Sequence, residues 1–286
     1  MFIFGNGGTA AAVDTVKNAV QESNSDPSWI MHHVMDANYI NLGPLGNLYL
    51  PQIHLFGFDI SITRDVFMMW VAGILVVIAG VLAARNYRKS LVPKGFANIF
   101  EIIIEFVRDE IVKPAIGKGY ESFMPYMLTL FFFILSLNMF GLIPTPNLIV
   151  ATGNIAVTAA FAIISFFVIQ LSGIKSHGFF GYFKSLIPGG MPALILIILI
   201  PLEILSLFTK PFALCIRLFA NMMAGHIVIF SLLGLIFIMH TIYVAPVSVG
   251  FTLFIEVLEI LVALIQAYIF TMLTALFIGM AKHSEH

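Results

Sequence analysis

"LILIILIPLEILSLFTKPFALCIRLFANMMAGHIVIFSLLGLIFIMHT", Leu194 to Thr241, is apolar almost without interruption. Wound as one helix it would extend about 70 Å, more than twice the ~30 Å hydrocarbon core of a bilayer. Such a segment either crosses twice or crosses once with strong tilt or bending. At its centre, "LCIRLFANMMAGH", Leu214 to His226, sets an arginine in the apolar run, then an asparagine, a glycine and a histidine. A permanent charge there is costly unless it is paired or hydrated.

The rest of the chain fixes the medium. It is 60% hydrophobic and only 10% charged, with a net charge of -1 and a mean hydropathy of +1.01. A soluble domain carries about 25% charged residues, so this is an all-α polytopic membrane protein. No basic stripe points to nucleic acid. The single cysteine, Cys215, excludes an internal disulfide and has no metal-site neighbours. Residues 1–63 read as a mixed, polar N-terminal extramembrane region, with loop signals at "ESNSDPSW" and "NLGPLGN". Between the loop signals and before them, "AAAVDTVKNAV" and "WIMHHVMDANYI" fit short surface helices.

The membrane domain runs from 64 to 286. A first span at 66–84 is followed at once by "RNYRKSLVPK", whose positive charges place that loop on the cytoplasmic side and the N-terminus outside. Residues 96–118 are helical in pattern but carry Glu101, Glu105, Arg108 and Asp109 among the apolar positions, as in an interfacial amphipathic helix. No charge occurs between Glu121 and Lys175, a window holding spans at 123–143 and 154–172. Long helices at about 191–241 and 247–281 complete the domain. One net crossing in each puts Lys282 and the C-terminus in the cytoplasm, giving about five net crossings with the last two helices strongly tilted.

The charges inside these helices are patterned. At about 100° per residue, Glu203, Ser206, Lys210, Arg217 and Asn221 fall within about a 60° arc, and His226 lies about 180° from Arg217. Glu256, Glu259 and Gln266 share a stripe on the last helix. Two polar stripes on neighbouring long helices suggest a hydrated path. His226 and Glu259 can exchange protons, whereas the Arg217 guanidinium stays charged and serves as a fixed electrostatic element. Proton or ion translocation is the functional class; helix glue is the alternative that spacing alone leaves open. Lys210 reads equally as snorkelling, as a partner of Glu203, or as part of the path.

The segments "LIPLEILSLFTKPFALCIRLFANMMAGHI" and "LEILVALIQAYIFTMLTALFIGMA", with "DISITRDVFMMW" and "LNMFGLIP" earlier, closely resemble subunit a of F-type ATP synthases. The resemblance covers about Leu55 to the C-terminus. It implies a stator beside a rotating c-subunit ring, in contact with membrane lipid, the b-subunit peripheral stalk and the remainder of the complex. It also implies two offset half-channels, with Arg217 facing the ring carboxylates and blocking leakage between them. His226 and Glu259 match a pair lining the half-channel from outside. Asn221 and Gln266 match polar residues near the arginine, and Asn138 matches an asparagine at the outer entrance. Glu203, Ser206 and Thr209 match positions towards the cytoplasmic exit. Gly141 stands where some relatives have an aspartate, which shifts the burden at the outer side to Asn138, water and the His226–Glu259 pair. Glu256 is either an extra relay or a structural partner.

No Gly-rich phosphate loop or nucleophile constellation occurs, so the chain is expected to be non-enzymatic, with no cofactor, metal or nucleotide site. The alternatives are a Na⁺-coupled version of the same subunit, or a stand-alone secondary transporter, which would need an internal repeat with paired broken helices. An imidazole suits proton relay better than Na⁺ ligation. The long N-terminal region favours a bacterial inner membrane over a mitochondrion.

Overall fold

The computed structural model describes residues 39–41, 47–49, 54–55, 58–59, 61, 63–89, 95–142, 151–185, 193–239 and 243–283. The chain divides into two compact units: a larger one of Asp36–Met222 with Ile260–His286, and a smaller one of Met1–Met35 with Met223–Glu259.

The described part of the N-terminal region holds two short antiparallel ladders. Strand β1 (Tyr39–Asn41) pairs with β2 (Asn47–Tyr49), and β3 (His54–Leu55) with β4 (Phe58–Asp59). The expected surface helix over "WIMHHVMDANYI" is therefore corrected at its end, where Tyr39 and Ile40 are strand; its earlier residues and "AAAVDTVKNAV" lie outside the described residues. The loop signal "NLGPLGN" falls between the paired strands in the sequence, and its residues 42–46 lie outside the described residues.

Helix α1 (Arg64–Lys89) opens with Asp65 in its first turn, where a carboxylate complements the helix dipole. After Gly95, whose φ of 63° suits glycine, come α2 (Phe96–Phe106), a π-helical turn (Val107–Val112) and α3 (Lys113–Ile116). The π turn has a purpose in packing. With residues four and five apart sharing a face, it brings Val107, Ile111, Val112 and Ile116 together, and all four are buried. At α-helical spacing the four would spread over about half the circumference. Ile99, Ile102 and Phe106 stay exposed on the same helical stretch.

Helix α4 (Met124–Gly141) begins with Pro125 in its first turn, where the missing N–H has no partner to lose. Helix α5 (Ile155–His177) is capped by Asn154. Its Oδ1 accepts from Ala156 N at 3.0 Å, while its Nδ2 donates to Asp65 Oδ2 at 2.7 Å. One side chain thus fixes the start of α5 to the start of α1. Gly178, at φ 73°, ends α5 before the short α6 (Phe179–Ser185).

Helix α7 (Ala193–Met239) stays continuous through Pro201 and Pro211, and α8 (Val244–Lys282) is the second long helix. The helices α1, α4, α5, α7 and α8 are long and apolar enough to cross a membrane. The architecture is all-helical apart from the small ladders, with five candidate spans and two long C-terminal helices. Trp70, Ile74, Val77, Ile163, Phe167 and Leu171 are exposed along the spans, as lipid-facing surface requires.

The larger unit's core gathers α1, the α2–α3 stretch, α4, α5 and parts of α7 and α8, with Met127, Ile134, Leu218, Phe270 and Ile278 fully buried. Its C-terminal end is tied down. Gly279 lies against the Ala115 carbonyl, Lys282 Nζ donates to Lys118 O, and His283 Nε2 donates to Ile116 O at 2.9 Å. His177 Nε2 donates to Lys282 O at 3.1 Å.

In the smaller unit, the end of α7 packs on the start of α8. Ser248 Oγ donates to Leu232 O, and Thr252 Oγ1 to Ser248 O at 2.9 Å.

Candidate functional site

The larger unit places Arg217 and Asn221 on α7, one turn apart and both exposed. Asn221 Nδ2 donates to Gln266 Oε1 on α8 at 2.9 Å, and Gln266 is buried. The amide bridge anchors the polar face of α7 to α8, leaving the arginine beside it. No hydrogen bond or ion pair reaches Arg217 among the described residues. A guanidinium carries five donors, and a charge in an apolar helix is costly unless it is paired or hydrated.

Towards the start of α7, Glu203, Ser206 and Lys210 are half-buried. Lys210 does not pair with Glu203. Its ammonium stands 5.2 Å from the Phe277 ring centroid, a cation–π contact. Thr209 Oγ1 donates back to Ser206 O at 3.2 Å. Glu203 lies within electrostatic reach of the Tyr182 hydroxyl on α6.

Asn138 on α4 is fully buried. Its Oδ1 accepts from Thr152 Oγ1 at 2.9 Å, and its Nδ2 donates to Ala263 O on α8 at 3.5 Å. A buried amide costs free energy unless its donors and acceptor are used. Thr152 supplies that support and escaped the sequence reading, because nothing in "PTPNLIVATGN" marks one threonine above its neighbours.

In the smaller unit, Glu259 is 8% exposed, and its Oε1 has no hydrogen-bond partner among the described residues. The carboxyl lies over Gly225, where any Cβ would collide with it. Gly225 therefore makes room for an acid from α8, a more specific role than general closeness of helices. His226 is its neighbour in the chain, with its ring edge-on to Phe230 at 6.3 Å. The charge of Glu256, one turn before Glu259, acts on that carboxyl. A buried acid with one oxygen unsatisfied is chemically suited to hold a proton or bind a water.

Buried hydroxyls at Ser172 and Thr271 also lack partners among the described residues. No cluster of three His, Cys, Asp or Glu side chains that could hold a metal occurs among them.

The profile of the family described as ATP synthase A chain matches residues 66–279. ATP synthase subunit a of Chloroherpeton thalassium is 52% identical over 260 residues, covering 90% of this chain and 77% of the relative. ATP synthase subunit a 2 of Prosthecochloris aestuarii is 50% identical over 260 residues, covering 90% and 79%. ATP synthase subunit a of Myxococcus xanthus is 48% identical over 230 residues, covering 80% and 75%. With the arginine-bearing helix and its amide bridge inside the matched region, the chain belongs to the ATP synthase subunit a family.

Proposed function

We propose that this chain carries protons through two offset half-channels to and from the carboxylates of a c-subunit ring. Members of the family are non-catalytic, ion-translocating subunits of the ATP synthase membrane sector. The observation that carries the finer reading is Arg217, exposed on α7 beside the Asn221–Gln266 bridge and without a partner among the described residues.

The chemistry follows from charge and solvent. A ring carboxylate is costly in lipid when ionised and tolerable when protonated. From the outer side, a proton passes the Asn138 region to His226 and Glu259, with Glu256 as a further acid. It is then given to a ring carboxylate, which can turn into the lipid as a neutral acid. A carboxyl arriving beside Arg217 is favoured in its ionised form and releases its proton towards Glu203 and Ser206. The fixed guanidinium, permanently charged, cannot take up that proton. It therefore separates the half-channels without short-circuiting them. The imidazole and orphaned carboxyl support protons over Na⁺, which needs several oxygen ligands together. The chain sits in a bacterial plasma membrane with its N-terminus outside and its C-terminus in the cytoplasm, and residues 96–118 lie along the interface. The b-subunit stalk holds the stator against the ring's torque.

The test is Arg217→Ala in the complete complex in proteoliposomes. ATP-driven proton uptake should vanish while the subunit still co-purifies with the c ring. Normal coupled pumping by the assembled variant would defeat the proposal.

A further inference from the structure

In the larger unit, Asn221 of α7 bonds to Gln266 of α8, and the Lys210 ammonium of α7 lies 5.2 Å from the centroid of the Phe277 ring of α8. The two contacts are eleven residues apart on α7 and eleven apart on α8. Eleven residues complete three turns to within about 20°, so each helix carries both contacts on one face. Arg217 stands between them, four residues before Asn221 and seven after Lys210, and within about 40° of either around the helix. The arginine is thus bracketed by two pins with the same spacing on both helices.

The bracket compensates for a weak point. Pro211 follows Lys210 inside α7 and has no N–H to give to the carbonyl one turn earlier, so a backbone bond is missing where Lys210 is pinned. Beyond it, Leu214 and Leu218 are 3% and 0% exposed and press the inner side of α7 into the core. Apolar burial is non-directional and resists a small rotation or slide only weakly. A cation over a ring face is directional. Lys210 is half-buried and makes no ion pair among the described residues, so the ring is its partner. A phenyl ring holds an ammonium without taking up a proton, whereas a carboxylate there would add a proton acceptor two turns from the arginine.

We infer that Lys210 and Phe277 are positioning residues for Arg217. Their cation–π contact carries the phase of α7 past Pro211 and, with the Asn221–Gln266 bridge, holds the guanidinium at a fixed height and azimuth. This rests on the reading of Arg217 as the group that meets the ring carboxylates and blocks passage between the half-channels. A guanidinium free to rotate or slide seals that passage only part of the time, and protons then return without turning the ring.

The experiment uses the complete complex in proteoliposomes and reads protons pumped per ATP hydrolysed. Phe277→Leu removes the ring and keeps an apolar side chain; Lys210→Met removes the charge and keeps the stem. Each should lower the ratio about two- to fivefold, the scale of one cation–π contact. The double variant should fall no further than the lower single, because both remove one shared contact. Phe277→Tyr keeps a ring face and Lys210→Arg a stacking cation, so both should stay near the wild-type ratio. A packing defect alone would lower assembly or thermal stability and leave the ratio of assembled complexes unchanged. Wild-type coupling in either assembled loss variant overturns the inference. So does an additive double variant, or a loss in Phe277→Tyr and Lys210→Arg equal to that in Phe277→Leu and Lys210→Met. If Phe277→Leu does not assemble with the c ring, Lys210→Met decides. Arg217→Ala in the same assay separates the two levels. If it pumps at the wild-type ratio, the half-channel reading falls; if it does not, and Lys210→Met behaves as wild type, only the pin falls.

Discussion

Replacing Gly225 by alanine separates what the smaller unit does from what keeps it folded. Gly225 is mid-helix, where glycine is roughly 0.5–1 kcal/mol less favourable than alanine. Helix propensity alone would favour the substitution. The new methyl, however, would collide with Glu259 Oε1, and would stand 2.7 Å from its Cδ and 3.2 Å from its Cγ. Carbon atoms pack at ~3.5 Å, so the carboxyl carbon has to retreat by about 0.8 Å. The group that moves is the far end of a flexible side chain, so the fold can absorb the change. Proton transfer cannot absorb it as easily, since a displacement of about 1 Å at a reacting group can cost on the order of 10²-fold. The expected result is a ten- to hundredfold fall in ATP-driven proton pumping, on the order of that geometric penalty. Thermal stability of the complex should be unchanged or slightly higher. Pumping is read from the quenching of a pH-sensitive dye in inverted vesicles, and stability from the temperature at which the subunit separates from the c ring. Glu259→Asp withdraws the carboxyl by one methylene. It should lower pumping beside Gly225 but raise it beside the alanine, and such non-additivity marks direct contact. Wild-type pumping by Gly225→Ala would refute the argument that this glycine exists to seat the acid.

At Gly279 the same substitution meets a different obstacle. A Cβ there would collide with the Ala115 carbonyl and stand 3.0 Å from its carbon, and backbone cannot rotate away. Gly279→Ala should destabilise by about 1–3 kcal/mol, the usual scale of overpacking. Gly80→Ala, with nothing within 4 Å, is the control; equal dissociation temperatures for the two variants would contradict the close approach. On the amphipathic stretch, the Arg108 guanidinium holds the Asp109 carboxyl below its ordinary range through bonds of 2.7 and 3.1 Å. A depressed folded-state pKa contributes stability that is complete above the unfolded value of ~3.9 and is lost as pH falls through the folded value. Both groups are exposed, so the effect is small and salt-screened. In Arg108→Gln, the Asp109 titration followed by carbonyl NMR should move up towards ~3.9; an unmoved titration would sink the assignment.

The five candidate spans were legible because apolar length and charge-free windows survive any tertiary arrangement. The polar stripe on α7 was legible from helical spacing, and the structure leaves Arg217 and Asn221 on an exposed face with Gln266 bonded to Asn221. Three features were not legible. The π turn at Val107–Val112 depends on burying four apolar residues against α4 and its neighbours, which no local propensity encodes. Lys210 could be placed only once Phe277 was near it, since a cation–π contact leaves no charge pattern in the sequence. Gly225 looked like one more small residue until Glu259, 34 positions later in the chain, was seen over it.

The polar groups sort by whether they are satisfied. Asn154 with Asp65 and Tyr126 with Ser165 at 3.0 Å tie helices together, and Asn138 on α4 accepts from Thr152 in the turn before α5. In an apolar medium such pairs are glue, because separating them leaves both ends unmet. Arg217 and the Glu259 Oε1 atom differ: neither has a hydrogen-bond partner among the described residues. Asn221 turns its amide to Gln266 instead of caging a charge. An arginine fully paired within the subunit would be cheaper to bury, yet it would offer little attraction to a carboxylate that must arrive and leave. An acid fully bonded to fixed donors would likewise hold its charge and refuse a proton. On the proposed function the missing partners are transient ones, a proton at Glu259 and a passing carboxylate at Arg217. On that proposal, the stability forgone at these two positions leaves both sites able to turn over.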